Sequence, residues 1–182
     1  VAVLERCDDP KEALERAGGV ALFVDDRLVQ VAAPDALRSN PVSVATARLL
    51  GRLNVLPGRL IALDGEEARV ETPLGTWLAR GLHAPAVGSV VSVAFRPERL
   101  DMVDLDPPAG ARLNRFAADF LDRRLEGATV RLRFSAAGRS IVALRLDLGL
   151  ARLPLGARAT LAVAWNDTLV LPADPEAEHG AD

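Results

Sequence analysis

The sequence has no tyrosine, a single cysteine and a single methionine, and Lys11 is its only lysine. Each scarcity excludes some chemistry. One cysteine, Cys7, permits no internal disulfide, and with no histidine near it in sequence it reads as a small apolar residue rather than a nucleophile. The two histidines, His83 in a Gly81–Pro85 loop and His179 near the end, lie too far apart for metal-ligand spacing, so no metal site is expected and neither histidine receives a role. A phosphate-binding loop needs glycine amides and a lysine in the pattern GxxxxGK[ST]. Lys11 follows Asp9-Pro10, so no such loop is present and the chain is not expected to hydrolyse ATP alone. Aromatics make up only 4% of the residues, too few for the stacking platforms of a single-strand binder, and Trp77, Phe95, Phe134 and Trp165 are expected in the core. No apolar run approaches the roughly 18 residues of a membrane span. The charged start, with Glu5, Asp8 and Asp9, lacks the pattern of a signal peptide, so a cytoplasmic location is expected. A net charge of −3 argues against a nucleic-acid partner.

What is present is 182 residues with 49% hydrophobic content, enough for one substantial core or two small ones. Val1–Leu4 suits a buried strand. A helix is expected behind Asp9, stopped by Gly18-Gly19. Val20–Val24 and Leu28–Ala32 flank Asp25-Asp26-Arg27 as a hairpin would, Pro34–Arg38 fits a short helix with proline in its first turn, and Val42–Leu53 has helical apolar spacing. Beyond Gly58 the texture becomes a series of short β-prone stretches separated by glycine, proline and charged turns, the signature of an antiparallel barrel or sandwich. Strands are expected at 59–63, 68–72, 76–80, 90–95, 100–103, 128–134, 140–146, 159–164 and 169–171. Asn114–Leu125 is the ambiguous element, since Phe116, Phe120 and Leu121 suit one face of a helix between two β lobes. Arg123-Arg124 and Arg131–Arg133 could form a basic stripe, although alternation on a strand explains the latter group. No internal repeat is evident, and the acidic stretch 173–182 is expected to be disordered.

The first section resembles the end of the nucleotide-binding domain of ABC importer ATPases. Asp9-Pro10-Lys11-Glu12-Ala13-Leu14 matches the DxxEAL that follows the family's last catalytic histidine, and Gln30-Val31-Ala32-Ala33-Pro34 matches its QxGxP with Ala32 in place of glycine. Leu37, Pro41, Ala47 and Leu50-Gly51 follow at the family's spacing, and Asn54–Gly58 is similar to the linker into an accessory domain. The second section resembles the TOBE-type domain, carried by Thr72-Pro73-Leu74-Gly75, by Phe95-Arg96-Pro97-Glu98-Arg99-Leu100, and by Leu153-Pro154-Leu155-Gly156 through Val170-Leu171-Pro172. The flavour is spermidine/putrescine-like.

The resemblance implies a mainly β fold with a small α/β N-terminal part and OB-like antiparallel barrel lobes. Its domains would be a nucleotide-binding remnant at 1–58 and an accessory domain at 59–172. It implies a regulatory and dimerising role in solute import, a homodimer, and membrane-embedded permease partners at the inner membrane. Within it, Arg96, Glu98 and Arg99 are candidate ligand or dimer contacts. The family histidine that contacts the γ-phosphate falls on Asp8, and the preceding threonine on Cys7; a carboxylate there would repel triphosphate. The P-loop, signature motif and Walker B strand precede this point in the family and are not in the sequence, so ATP and magnesium are implied only for a complete parent subunit. Two other readings remain open. One is a free-standing OB-like module whose Arg96 and Arg99 grip an oxyanion or small solute. The other, an OB-type nucleic-acid binder, is disfavoured by the net charge.

Overall fold

A computed structural model describes residues 5–24, 26–103, 111–146 and 153–174. The expected strand at Val1–Leu4 and nearly all of the expected acidic tail lie outside these. The chain divides into two compact units, Val1–Arg52 and Leu53–Asp182.

The first unit contains α1 (Pro10–Arg16), β1 (Val20–Val24), β2 (Arg27–Ala32), α2 (Pro34–Ser39) and α3 (Val44–Leu49). The two strands form an antiparallel ribbon whose turn places Asp26 at φ +59°, a left-handed conformation that aspartate tolerates better than most residues. Leu22, Leu37 and Leu50 make a small core, with Leu14, Val20 and Ala32 against it. The Gln30 amide ties the helical pair together: its Nε2 donates to Asn40 O (2.9 Å) and its Oε1 accepts from Val42 N (3.1 Å). The helix expected at 42–53 is shorter. Ser43 caps it by accepting from Thr46 N (3.1 Å), and the chain leaves it at Leu50, ahead of Gly51 at φ +132°.

The second unit is β throughout. It contains β3 (Asn54–Asp64), β4 (Glu67–Thr72), β5 (Gly75–Arg80), β6 (Val90–Phe95), β7 (Asp101–Met102), β8 (Leu113–Glu126), β9 (Thr129–Ala136), β10 (Arg139–Leu146), β11 (Arg158–Ala164) and β12 (Thr168–Pro172). Strands β12, β5, β4, β3 and β6 close a barrel, and β10, β9, β8, β11 and β7 form a second sheet in that order. This is the mainly β, OB-like architecture read from the sequence.

Three expectations need correction. Asn54–Gly58 is not a linker but the first half of β3, so the β unit begins before residue 58. Its Pro57-Gly58 pair looks like a turn, yet a Cβ on Gly58 would lie 2.5 Å from Val70 Cγ1 and 2.9 Å from Glu71 O. The glycine is there to let two strands approach. Asn114–Leu125 is not helical either: Asn114, Phe116, Ala118 and Phe120 are buried in strict alternation, which leaves Leu121 facing outward, and a bulge interrupts the register after Phe120. The helical spacing of the two phenylalanines masked a period of two because Ala118 carries little hydropathy.

The third correction is that an internal repeat exists, in backbone devices rather than side chains. Both lobes run as a long strand from a buried asparagine, a bulge, a hairpin, a third strand, a loop, a fourth strand, a 3-10 turn and an exchanged fifth strand. Asn54 pairs with Phe95 and Asn114 with Val163 in matching registers. The bulges follow Leu60 and Phe120, and the 3-10 turns Pro97–Arg99 and Trp165–Asp167 follow the fourth strands. From there each chain segment crosses over: β7 pairs with β11, and β12 pairs with β6 and β5.

One hydrophobic core serves both lobes. Trp77 of β5 lies between Phe95 of β6 (5.5 Å) and Phe116 of β8 (5.4 Å), with Phe120 and Phe134 in edge contact beyond. Each buried asparagine bonds the third strand of the other lobe. Asn54 Nδ2 donates to Val142 O (2.8 Å) and its Oδ1 accepts from Val142 N (2.9 Å); Asn114 does the same to Leu78 O and N (both 2.8 Å). An amide is the side chain that can mimic a neighbouring strand, offering one donor and one acceptor side by side. Replacing either by alanine strands two buried backbone groups, so Asn54→Ala and Asn114→Ala are each expected to destabilise the β unit by roughly 2–4 kcal/mol, read from urea unfolding.

Candidate functional site

Phe95 ends β6 buried, Pro97 opens the 3-10 turn where its missing N–H is not needed, and Leu100 is fully buried at its exit. The turn is closed by Arg99 N donating to Arg96 O (3.0 Å). Between these anchors Arg96 is half-buried, while Glu98 and Arg99 are exposed. Arg96 and Glu98 each have an interaction partner in the structure. Arg99 Nε lies 3.5 Å from Asp167 Oδ1, so the two crossovers, one from each repeat, are joined by an ion pair. Arg145 donates to Leu100 O and to the Asp101 carboxylate just beyond. The three residues singled out from sequence are thus brought together on one strand crossover, the point where the lobes exchange chain.

Sequence reasoning missed the matching cluster on the other repeat. Trp165 opens the second 3-10 turn and is half-buried, not in the core as expected. Arg112 lies over its ring, 4.6 Å from the centroid, and reaches Glu67 Oε2 at 2.5 Å. That hydrogen bond and the cation behind it hold the Glu67 carboxyl below its ordinary value. The signal available in sequence was the parallel between Ala94-Phe95-Arg96-Pro97 and Ala162-Val163-Ala164-Trp165. Two arginines of the candidate basic stripe, both on β9, are paired to carboxylates of β8, Arg131 to Glu126 and Arg133 to Asp122.

In the first unit, Asp8 precedes α1 and pairs with Arg6 at 3.5 Å, both fully solvated, a contact of little energetic weight. Cys7 Sγ lies 3.1 Å from Asp9 O. Among the described residues, Asp8 and Arg6 are a solvated ion pair and form no enclosed site. Among the described residues no three His, Cys, Asp or Glu side chains are grouped to hold a metal ion, and no helix is long and apolar enough to cross a membrane.

No protein-family model matches the chain. Curated relatives do. The spermidine/putrescine import ATP-binding protein PotA of Rubrobacter xylanophilus is 37% identical over 95 residues, covering 50% of this chain and 25% of that protein. PotA 1 of Pseudomonas aeruginosa is 28% identical over 165 residues, covering 90% and 43%. The chain is similar to the C-terminal part of ABC importer ATP-binding subunits. The putrescine transport ATP-binding protein PotG of Escherichia coli is 29% identical over 106 residues, covering 56% and 27%. The chain therefore spans less than half the length of these relatives. Among solved structures, the cytoplasmic molybdate-binding protein ModG, with molybdate bound, superposes with a TM-score of 0.57 at 15% identity, covering 66% of this chain and 96% of that one. At this identity the likeness shows a shared fold alone.

Removing Arg112 tests the geometry of the Trp165 cluster. A carboxyl whose folded pKa is depressed favours the fold above its unfolded pKa and loses that contribution as pH falls through the folded value. Arg112→Ala is expected to move the Glu67 titration upward toward its ordinary range, followed by carboxyl NMR shifts, and to remove Glu67's part in acid sensitivity.

Proposed function

We propose that this chain is the regulatory and dimerising C-terminal portion of an ATP-binding subunit that energises solute import, with a polyamine as the solute class. The observation that carries this is the match running along 90% of the chain to a spermidine/putrescine import ATP-binding protein. The first unit supports it independently. The outward side of its β1–β2 ribbon exposes Phe23, Leu28 and Val31, each more than half accessible, and a two-stranded ribbon with apolar residues on both faces is made to be covered. In a complete subunit the preceding nucleotide-binding residues would cover it. Such a subunit would be cytoplasmic and peripheral to the inner membrane, bound to permease subunits, with ATP and magnesium held by parts absent from this sequence.

In this role the β unit contributes stiffness. Two lobes that share a core and exchange strands move as one body, so a contact between two such units could persist while the motor domains part and close. Arg96, Glu98 and Arg99 lie on the crossover that joins the lobes, where a bound ligand or a twin subunit would act on both at once.

A second reading is favoured by one observation, the fold shared with ModG, a molybdate-binding protein. On that reading the β unit grips an oxyanion through arginines such as Arg96 and Arg99, whose forked donors suit one. Light scattering and calorimetry separate the readings. The scaffold reading expects a dimer that gives no heat with molybdate, sulfate or spermidine; a monomer at high concentration contradicts it, and saturable heat with an oxyanion favours the second.

A further inference from the structure

Each repeat holds its first four strands together by its own bonds. In the first, β3 pairs with β4 and β6, and β4 with β5; in the second, β8 pairs with β9 and β11, and β9 with β10. A positive-φ glycine in each folds the loop before the fourth strand onto the bulge: Gly88 N donates to Leu60 O (2.7 Å) at φ +94°, and Gly156 N to Phe120 O (2.8 Å) at φ +75°. A second set of contacts joins one repeat to the other. It consists of the exchanged strands β7 and β12, the two asparagine amides, the stacking of Trp77 on Phe116, and the ion pair of Arg99 with Asp167. Covalently, the repeats are joined through residues 104–110.

None of the contacts between repeats requires both to belong to one polypeptide. A first repeat from one copy and a second repeat from another make all of them, so a closed monomer and an exchanged dimer bury the same core and differ in the link. That link has far to go. Val103 N donates to Thr160 O (2.9 Å) and Arg112 O accepts from Trp165 N (3.1 Å), while β7 and β8 flank β11 on opposite sides. A chain closing on itself must therefore travel back along β11 and pass over it, roughly 19 Å for rises of about 3.3 Å and strand spacings of about 4.8 Å. Because β7 and β8 both run antiparallel to β11, it must also reverse direction at each end. The link contains Asp106-Pro107-Pro108, and successive prolines favour extended backbone and stiffen it against reversal.

We propose that the β unit exchanges repeats between two copies of this chain, residues 54–103 of each building the shared core with residues 111–174 of the other. The partner is a second copy because the surface it must fit is one that this chain already carries in full, strand for strand and amide for amide. The inference goes beyond the dimer reading above, which needs no exchange. Twins joined in this way cannot part without opening both cores. The link sets the balance: a short flexible tether holds its own partner at an effective concentration of about millimolar, and a tether that cannot span the two ends holds it at nearly none.

Cysteines placed opposite one another across β7 and β11 read which chain supplies each repeat. Asp101 and Ala162 are such partners; their Cα atoms stand about 5.5 Å apart, a distance a disulfide can bridge. Asp101→Cys and Ala162→Cys are introduced together with Cys7→Ser into the full chain, and non-reducing gels follow the products. Deleting residues 105–109 leaves a link of about 14 Å at full extension, too short for one chain to close on itself. By light scattering this shortened chain should be a dimer at every concentration, with its disulfides joining two chains. The chain of natural length, refolded from urea, should yield a chain-linked share that grows by up to about tenfold for a tenfold rise in protein concentration. A shortened chain that is a folded monomer overturns the exchange, as do disulfides that stay within single chains at every concentration. If circular dichroism shows that the shortened chain does not fold, the refolding of the natural-length chain decides alone. A natural-length dimer with internal disulfides overturns the exchange and supports the dimer reading; a natural-length monomer that becomes chain-linked only on refolding contradicts the dimer reading and supports the exchange.

Discussion

Neither lobe of the β unit has a fifth strand of its own. The barrel closes only because β12, which follows the second repeat, inserts between β5 and β6, and β7, which follows the first repeat, adds to the edge of β11. Everything else in the unit is arranged around that exchange. The cores must merge, because the chain passing between lobes carries buried residues such as Leu100 and Thr168 at each crossover. Where the lobes meet without strand pairing, backbone groups would be left buried and unbonded, and Asn54 and Asn114 fill those two places. Thr168 completes one of them by accepting from Asn114 Nδ2 (3.2 Å) and donating to Ala164 O (3.0 Å).

The symmetry is broken where the strands end. In the first lobe, β12 reaches β5 through a parallel bridge between Leu169 and Arg80. Its counterpart β7 is two residues long and, among the described residues, pairs with β11; there Arg145 of β10 reaches over to Leu100 O and Asp101. The second lobe also extends its hairpin past the bulge, with Asp122–Arg133 and Glu126–Arg131 pairs along it. A duplicated scaffold with unlike ends leaves each lobe free to take a different contact while the shared core keeps the two in register.

Much of this was legible in the sequence. Alternating apolar residues placed Val90–Phe95, Thr76–Arg80 and Ser140–Leu146 close to their observed strands, and the ordered motifs pointed to the relatives before any fold was seen. What escaped has identifiable causes. Pro57-Gly58 carries a turn signal but serves close strand approach, and Ala118 hides a period of two between Phe116 and Phe120. The repeat escaped because its common features are an asparagine, a bulge, a positive-φ glycine and a 3-10 turn, none of which requires the same aliphatic or aromatic residue twice. Arg96, Glu98 and Arg99 were visible as a motif, but their place on a crossover belongs to topology, as does the ion pair from Arg99 to Asp167.

Residue-resolved hydrogen exchange in low denaturant measures the exchanged-strand account most directly, because it reports how each segment opens. If the lobes are interlocked, amides in Val91–Phe95 and Trp77–Ala79 should converge on the same opening free energy as those in Phe116–Phe120 and Val130–Phe134. Two separate plateaus, one lobe opening fully while the other keeps its protection, would contradict it.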